Sequence, residues 1–373
     1  MIIYLLLLAG AVILGIPLCR NKAGKIAYCS VMGIALFVIA ALRRYVGHDY
    51  NIYGWIYINS ITSSVDTISH DRVEKGYTII NKLLSDYFAE YQTIFIVCAL
   101  FYAIIIAYLV YKYCEIPWIG FACFLTFGVY FNALNFQRQM IAGFIVAYAL
   151  RYIEKNQFWR YLMLVIFASC FHLSALIMIP FYFILKIKMT PITLGVYAVL
   201  ISLFMIFSWE IIDFVTDYVY KGYDPRTSIH VTTGINPTYL IFYAVFFAIA
   251  FIIRTRLVTA DKFNNVALNC MFFAVCFGLF GVKHSVLSRF SIFFVIPTAI
   301  ILMPRVILAL LAVCREKANG DSKRRTLLSA VTVAAFAVAN ITMYGLMIAN
   351  NYNGVMPYRT VYDDFGTEAA ETQ

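Results

Sequence analysis

The chain has 373 residues, of which 63% are hydrophobic and only 13% are charged, and its mean hydropathy is +0.81. A soluble globular domain carries roughly twice that charged fraction, so the composition excludes a water-soluble protein and indicates a polytopic membrane protein. The formal net charge of +10 calls for no nucleic acid partner, because positive residues also mark the inner loops of membrane proteins.

Apolar stretches long enough to cross a hydrocarbon core follow one another along the whole chain. The first, near residues 2–19, has its positive residues behind it, which favours a retained span with an outer N-terminus over a cleaved signal peptide. Further spans are predicted near 26–42, 91–111, 117–134, 139–153, 191–208, 237–253, 264–282, 287–304 and 326–348. We predict an all-α integral membrane protein with about 10–12 transmembrane helices, forming one polytopic domain over residues 1–373.

The run 161–185 is long enough for one helix, but a single crossing would place most of the later positive residues outside. An even number of passes keeps them inside, so we predict a broken or re-entrant helix pair whose arms meet near 170–174. The inner loops then hold most of the 29 Lys and Arg residues and few of the 19 acidic ones. The outer face receives two loops, 43–90 and 209–236, and a C-terminal tail, 350–373.

Loop 43–90 is rich in aromatic residues, among them Tyr50, Trp55 and Tyr77. Two interpretations remain open. Tyrosine and tryptophan are enriched where a protein meets the membrane–water interface, and their flat rings also stack on sugars. The loop is therefore either an interfacial aromatic belt or a saccharide-binding surface.

Metal and nucleotide chemistry have no signature in the sequence. The nine cysteines lie within spans or near the inner side, which disfavours a disulfide framework, and no C-x-x-C pair suggests zinc. The sequence has no Walker motif, no H-E-x-x-H, no G-x-S-x-G and no D-x-D pair that would hold a divalent cation. We therefore expect neither a metal nor a cofactor.

Ionisable residues beside long apolar runs are the candidates for function, because such groups are costly at membrane depth. The predicted layout places all five histidines on or toward the outer side: His48, His70, His172, His230 and His284. The same side holds five further charged residues: Arg43, Arg44, Asp49, Arg138 and Arg289. Arginine binds phosphate oxygens in pairs, and histidine or a carboxylate can accept the proton of an attacking hydroxyl. Together these residues predict a site for a lipid-linked phosphate or diphosphate at the outer leaflet.

A structural explanation competes with each functional one. Arg138 could snorkel at a turn between spans, and His172 could cap the helix break by bonding a backbone carbonyl. Arg289 could anchor the head of its span, and Arg44 could pair with Asp49 and orient the loop. We expect a functional role for each, with Arg138 and His172 first.

Several short motifs resemble, in order, those of the EpsG-type, Wzy-like polysaccharide polymerases. The segment Arg44-Tyr-Val-Gly47 with Asp49-Tyr50 and Tyr53 resembles the R-x-x-G-x-D-Y-x-x-Y signature of that family. Glu74-Lys-Gly76-Tyr77 is similar to the family's E-x-G-Y element, and Arg138-Gln139 with Ala142 is similar to its R-Q-x-x-A element. Phe171-His172-Leu-Ser174 resembles its F-H-x-S element. Arg289-Phe290 and Pro357-Tyr358 resemble its R-F and P-Y elements. The match extends over nearly the whole chain, from about residue 43 to 358. His48 departs from the pattern, since this position is often small or hydroxylic, which puts the local sugar contact in doubt.

The resemblance implies a GT-C-like, metal-independent membrane glycosyltransferase at the outer face of the bacterial inner membrane. It implies polymerisation of undecaprenyl-diphosphate-linked oligosaccharide units into exopolysaccharide, capsule or O-antigen, by transfer of the growing chain to an acceptor hydroxyl. Membrane lipid, and the flippase and chain-length regulator of the same pathway, are the implied partners.

The chemistry of such a reaction assigns a role to each candidate. Loss of a diphosphate from an anomeric carbon needs fixed positive charge, so we expect Arg138 and Arg289 to bind the diphosphate with help from Arg44. His172 is the first candidate for the base and Asp49 the second. Supporting contacts to the glycan are expected from Gln139, Tyr50, Glu74 and Tyr77. An O-antigen ligase, an acyltransferase and a lipid-linked oligosaccharide transporter or flippase remain as alternatives.

Overall fold

The computed structural model of the chain describes residues 1–69, 73–210, 213, 237–283 and 285–363. Most of the predicted outer loop 209–236 and the tail beyond residue 363 lie outside the described residues. The same holds for three of the five histidines, His70, His230 and His284.

The described chain is built from helices, as predicted. The first thirteen are α1 (Ile2–Leu18), α2 (Lys22–Leu42), α3 (Tyr50–Thr62), α4 (Val65–Ser69), α5 (Lys75–Ser85), α6 (Gln92–Tyr113), α7 (Pro117–Thr126), α8 (Val129–Asn135), α9 (Gln137–Ala149), α10 (Arg151–Glu154), α11 (Phe158–Ser169), α12 (Met178–Ile184) and α13 (Pro191–Ile206). The later ones are α14 (Pro237–Ile252), α15 (Arg254–Ala260), α16 (Phe263–Lys283), α17 (Ser285–Ser288), α18 (Ile292–Pro297), α19 (Met303–Lys317) and α20 (Ser322–Ala349). Among the described residues no strand forms, and one isolated β-bridge joins Arg43 to Thr360. The prediction of an all-α membrane protein is confirmed.

Among the residues that the structure describes, five helical segments are long and apolar enough to cross a membrane: α2, α6, α16, Arg289–Lys317 and α20. The pairs α7–α8 and α14–α15 are bent by 57° and 70°, and counting each as one span gives seven. α1, α11 and α13 are apolar but shorter than 18 residues, as is the segment Leu173–Ile184. The span predicted near 117–134 bends because Gly128 has a φ of +70°, which few residues other than glycine adopt.

The predicted break in the run 161–185 is present. α11 ends at Ser169, and a 3₁₀ turn, Leu173–Ile177, leads into α12. The three residues between α11 and the 3₁₀ turn, Cys170 to His172, are not helical. The run therefore forms two helical arms that meet at His172.

Internal contacts divide the chain into two compact units. Unit 1 consists of Met1–Ala142, Ser169–Leu173 and Tyr344–Gln373, and unit 2 of Gly143–Ala168 and Ser174–Met343. Both units collect distant parts of the chain. The single polytopic domain stays a prediction.

Unit 1 is held together by buried tyrosines that cross-link its helices. α2 packs along α6, and α1 packs on α7. The Tyr28 hydroxyl donates to the Ala11 carbonyl at 2.7 Å, and the Tyr130 hydroxyl donates to the Leu36 carbonyl at 3.0 Å. A buried hydroxyl needs a partner, so each of these bonds fixes one helix against another.

Unit 2 has an aromatic core and a polar anchor. Phe277 and Phe294 stack with ring centroids 5.4 Å apart, and Phe181 packs edge-on against Phe294. Arg305 Nη1 donates to Asp261 Oδ2 at 2.7 Å and to Asn264 Oδ1 at 2.6 Å. The anchor ties α19 to the start of α16.

The C-terminal segment of unit 1 runs beside the end of α2. Backbone hydrogen bonds join Arg44 to Arg359 at 3.0 Å and Gly47 to Gly354 at 2.9 Å. The Tyr358 hydroxyl donates to the Ile39 carbonyl at 2.8 Å. The two motifs at opposite ends of the sequence, around Gly47 and Tyr358, are thereby brought together.

Candidate functional site

One carboxylate, that of Glu74, joins three parts of the chain within unit 1. Arg138 Nη1 donates to Glu74 Oε2 at 2.5 Å. His172 Nδ1 lies 2.9 Å from Glu74 Oε1, and the backbone N–H of Leu173 donates to the same oxygen at 3.0 Å. Two of the residues expected from the sequence to act in the reaction therefore meet at a third.

Glu74 reaches this position because α5 approaches the helix break very closely. It lies immediately before α5, in extended conformation, and Gly76 N donates to the Cys170 carbonyl at 2.9 Å. A Cβ at residue 76 would lie only 2.6 Å from that carbonyl oxygen. Glycine is thus required for the approach, which explains the spacing of Glu74 and Gly76.

Arg138 is positioned by the first turn of α9. The neighbouring Gln137 accepts a hydrogen bond on its side chain from the Tyr77 hydroxyl at 3.0 Å and on its carbonyl from the Tyr102 hydroxyl at 2.9 Å. These bonds fix the turn against α5 and α6. The guanidinium also hydrogen-bonds with the Tyr53 hydroxyl of α3.

We call Glu74, Arg138 and His172 the triad. Their side chains are 14%, 20% and 27% exposed, so each is shielded but accessible. Burial by itself would raise the pKa of Glu74, but the hydrogen bond with His172, the positive charge of Arg138 and the Leu173 N–H hold it at about 2. Glu74 is therefore ionised at neutral pH and acts only as an acceptor.

An ionised Glu74 determines how His172 can function. His172 Nδ1 faces this carboxylate at 2.9 Å, which favours a proton on Nδ1, and a neutral imidazole protonated there has its lone pair on Nε2. A neutral imidazole held in this tautomer is suited to accept a proton from a hydroxyl. Glu74 contacts the ring on its Nδ1 side.

Arg44 and Asp49 lie in the segment between α2 and α3, also in unit 1. The Arg44 guanidinium lies over the Tyr45 ring, 5.6 Å from its centroid. The backbone N–H of Asp49 donates to Asn135 Oδ1 at 2.9 Å, at the end of α8. Asp49 is thereby connected to the segment that leads into Arg138.

Three of the four expected glycan contacts are buried. They are Tyr50, Tyr77 and Gln139. The Tyr50 ring stacks on Phe95 at 4.1 Å, and its hydroxyl donates to Gln92 Oε1 at 2.7 Å. These side chains pack inside unit 1, so their proposed contribution is to support the residues around them.

Arg289 belongs to unit 2 and begins a 3₁₀ turn, Arg289–Ser291. It is half-buried. Its assignment to the diphosphate site stays a prediction.

The structure makes two residues prominent to which the sequence analysis assigned no individual role: Arg43, which it named only as one of the outer charged residues, and Asn132. Arg43 is completely buried, with Nη1 donating to the Ala40 carbonyl at 2.8 Å and the guanidinium 5.0 Å from the Phe95 centroid. Asn132 accepts from Asn353 Nδ2 at 2.7 Å and so connects α8 to the C-terminal segment. Both residues are polar and lie within an apolar run or at its end, and this sequence feature could have identified them as candidates.

The cysteines and possible metal ligands add one further observation. Cys170, between α11 and His172, is exposed, Cys19 is half-buried, and the other cysteines are buried. Across the part of the chain that the structure describes, no three His, Cys, Asp or Glu side chains cluster as metal ligands would.

Comparison with known proteins gives one match. A family model described as EpsG family matches residues 26–360, nearly the whole chain and every motif named above. No curated protein and no solved structure shows a significant match.

Proposed function

Because the chain belongs to the EpsG family, we propose that it is a glycosyltransferase that polymerises undecaprenyl-diphosphate-linked oligosaccharide units. Family membership supports a membrane protein of the polysaccharide-polymerase type, and the proposal adds the substrate and the mechanism. The triad is the observation that carries it, since a guanidinium and an oriented imidazole meet in one accessible place. We place the reaction at the outer face of the bacterial inner membrane, where the polymer is exopolysaccharide, capsule or O-antigen.

The donor is activated by positive charge in this scheme. As the bond between the anomeric carbon and the diphosphate oxygen breaks, the electron pair leaves with the carrier diphosphate. Arg138 stabilises that developing charge, because a guanidinium stays ionised in an apolar setting and its N–H groups are strong donors to phosphate oxygens. Arg44 is proposed to contribute further positive charge, and a role for Arg289 stays the expectation drawn from the sequence.

The acceptor is activated by His172. Its Nε2 takes the proton of the acceptor hydroxyl as that oxygen bonds to the anomeric carbon, and the proton then passes to solvent. Glu74 stabilises the imidazolium that forms, because it is ionised and lies 2.9 Å from Nδ1. Asp49 is the second candidate for the base.

Reconstitution tests the proposal directly. Purified protein in vesicles, supplied only with lipid-linked repeat units, should produce a ladder of longer glycans. Arg138→Ala and His172→Ala should lower the rate by about 100-fold or more, as expected when charge stabilisation or a general base is lost. In a second assay with lipid A core added as acceptor, transfer only to that core would identify a ligase, and transport of the units without transfer would identify a flippase. Either result contradicts the proposal, as does abundant long polymer from Arg138→Ala.

A double-mutant cycle tests whether Glu74 acts through His172. Glu74→Gln alone should slow polymerisation, but in a His172→Ala background it should cause little further loss. Glu90→Gln is the matched control, because Glu90 is an exposed carboxylate of the same loop and should have no effect. Multiplicative losses in the double variant would show that Glu74 acts independently of His172.

A further inference from the structure

α3 exposes an apolar stripe that nothing in the described chain covers, with exposed Asn51 before it and exposed Thr62 after it. Ile52, Trp55, Ile58 and Ile61 follow one another at three-residue spacing and are 39–54% exposed. No residue of α3 is charged. A large exposed apolar stripe on a stable protein marks an interaction surface.

The opposite side of α3 contacts the triad. Tyr53 and Tyr57 are buried there, and the Tyr53 hydroxyl bonds to the Arg138 guanidinium. The Tyr53 ring also packs edge-on against Tyr77, with centroids 5.8 Å apart. α3 therefore separates Arg138 from whatever covers the apolar stripe.

The neighbouring spans α2 and α6 indicate what covers the apolar stripe of α3. α2 ends at Leu42 and α6 begins at Gln92, and Gln92 Nε2 donates to the Ala41 carbonyl at 2.7 Å. The segment between the two helices therefore starts and ends at one membrane surface. Exposed apolar side chains on both helices, such as Val38 and Ile96, mark the lipid-facing surface close to these ends. α3 starts only eight residues after Leu42.

Charged side chains lie at the C-terminal end of α3 and in the segment that follows it. Lys82 of α5 donates to the Ser60 carbonyl at 3.1 Å, next to the C-terminal end of α3. Lys75 and Asp66 form an ion pair that is largely exposed. Tryptophan and isoleucine facing lipid, with charges at the rim, are typical of interfacial helices.

We propose that α3 is an interfacial helix whose Ile52, Trp55 and Ile58 insert into the headgroup–acyl boundary of the adjacent leaflet. The partner of this surface is the lipid bilayer itself. Resting on the proposed function, α3 holds the triad at the level of the lipid phosphates. There a diphosphate attached to a membrane-embedded lipid can reach Arg138 from the side.

Fluorescence quenching tests the depth of α3 without reference to activity. A protein with Trp118, Trp159 and Trp209 changed to Phe retains only Trp55. In phosphatidylcholine vesicles brominated near the headgroup end of the acyl chains, Trp55 emission should fall at least twofold, and aqueous iodide should quench it weakly. The control is the same background with Trp55→Phe and Asp66→Trp, because residue 66 is exposed beside Lys75. In this control protein, iodide should quench the tryptophan at residue 66 strongly and brominated lipid should quench it weakly.

Two outcomes would overturn the proposal. Strong iodide quenching of Trp55 with no effect of brominated lipid would place the stripe in water. If neither agent quenched Trp55 at a high protein-to-lipid ratio, and quenching appeared on dilution with lipid, the stripe would be covered by a second copy of the chain. A lipid-embedded Trp55 in a protein that forms no polymer would leave this proposal standing and refute the polymerase function.

A charged substitution links the helix to the site. Ile58→Glu should lower polymer formation from long-chain lipid-linked units at least fivefold in vesicles but little with a short-chain analogue in detergent. Ile58→Leu is the matched control and should behave as the native chain does. Equal losses in both assays would show that the stripe serves folding and not access to lipid. If Ile58→Glu does not fold, the quenching experiment still decides.

Discussion

Replacing Gly76 by alanine perturbs the contact on which the triad depends. The new Cβ would lie 2.6 Å from the Cys170 carbonyl oxygen and 2.9 Å from the Cys170 Cβ. Real Cβ atoms do not approach so closely, so residues 169–173 must move by several tenths of an ångström. His172 lies two residues further on, so its Nδ1 should move away from Glu74.

The energetic cost can be estimated from the contacts. The Gly76–Cys170 backbone hydrogen bond contributes about 1 kcal/mol, and overpacking costs about 1–3 kcal/mol. Alanine offsets up to about 1 kcal/mol through its helix propensity. We therefore expect Gly76→Ala to destabilise the protein by about 1–3 kcal/mol.

Gly195 supplies the matched control. It lies in α13, and nothing is within 4 Å of the position its Cβ would occupy. Gly195→Ala should gain about 0.5–1 kcal/mol, because alanine is the better helix former. The two variants make the same chemical change and should have effects of opposite sign.

Thermal unfolding in detergent and polymer formation in vesicles are the two measurements. Gly76→Ala should unfold at lower temperature and also lose polymerisation at temperatures where it remains folded. Gly195→Ala should unfold at the same or a higher temperature and keep its activity. If Gly76→Ala matched Gly195→Ala in both measurements, the close approach of α5 to the helix break would be refuted.

Three further predictions concern the sidedness, charge and support of the site. A membrane-impermeant thiol reagent should label exposed Cys170 on intact cells, and should label Cys19 only after permeabilisation. The opposite labelling pattern would reverse the proposed orientation. The Cys170→Ser variant is the control. The fall in the pKa of Glu74 from 4.5 to about 2 corresponds to about 3 kcal/mol of stability. Because the folded pKa is the lower one, this contribution is complete above about pH 4.5 and is lost as the pH falls towards 2. Unfolding measured across that range should show a steeper loss for the native chain than for Glu74→Gln, and parallel curves would contradict the ion pair. Tyr77→Phe removes the hydrogen bond to Gln137 and should cost about 1 kcal/mol with a few-fold loss of polymerisation; no change in either would show that this bond does not support Arg138.

Some members of the candidate site were predicted from the sequence, and the contacts between them were not. Arg138 and His172 were identified because ionisable groups are rare beside apolar runs, and both lie in the triad. Glu74 was expected to contact glycan, whereas the structure shows it bound to both of them. Tyr50 and Tyr77 were expected near the sugar, and the structure buries both.

The sequence by itself determined the all-α membrane class and the break before Leu173. Hydropathy is a property of local stretches, and the charge balance of the loops follows from their order along the chain. The sequence did not determine where a span bends, because a bend such as the one at Gly128 depends on the backbone conformation. Only the tertiary structure decided which residues meet. Glu74 lies 64 positions from Arg138 and 99 from Leu173, and no local pattern records contacts over such separations. They arise because Gly76 lets α5 approach the carbonyl of Cys170.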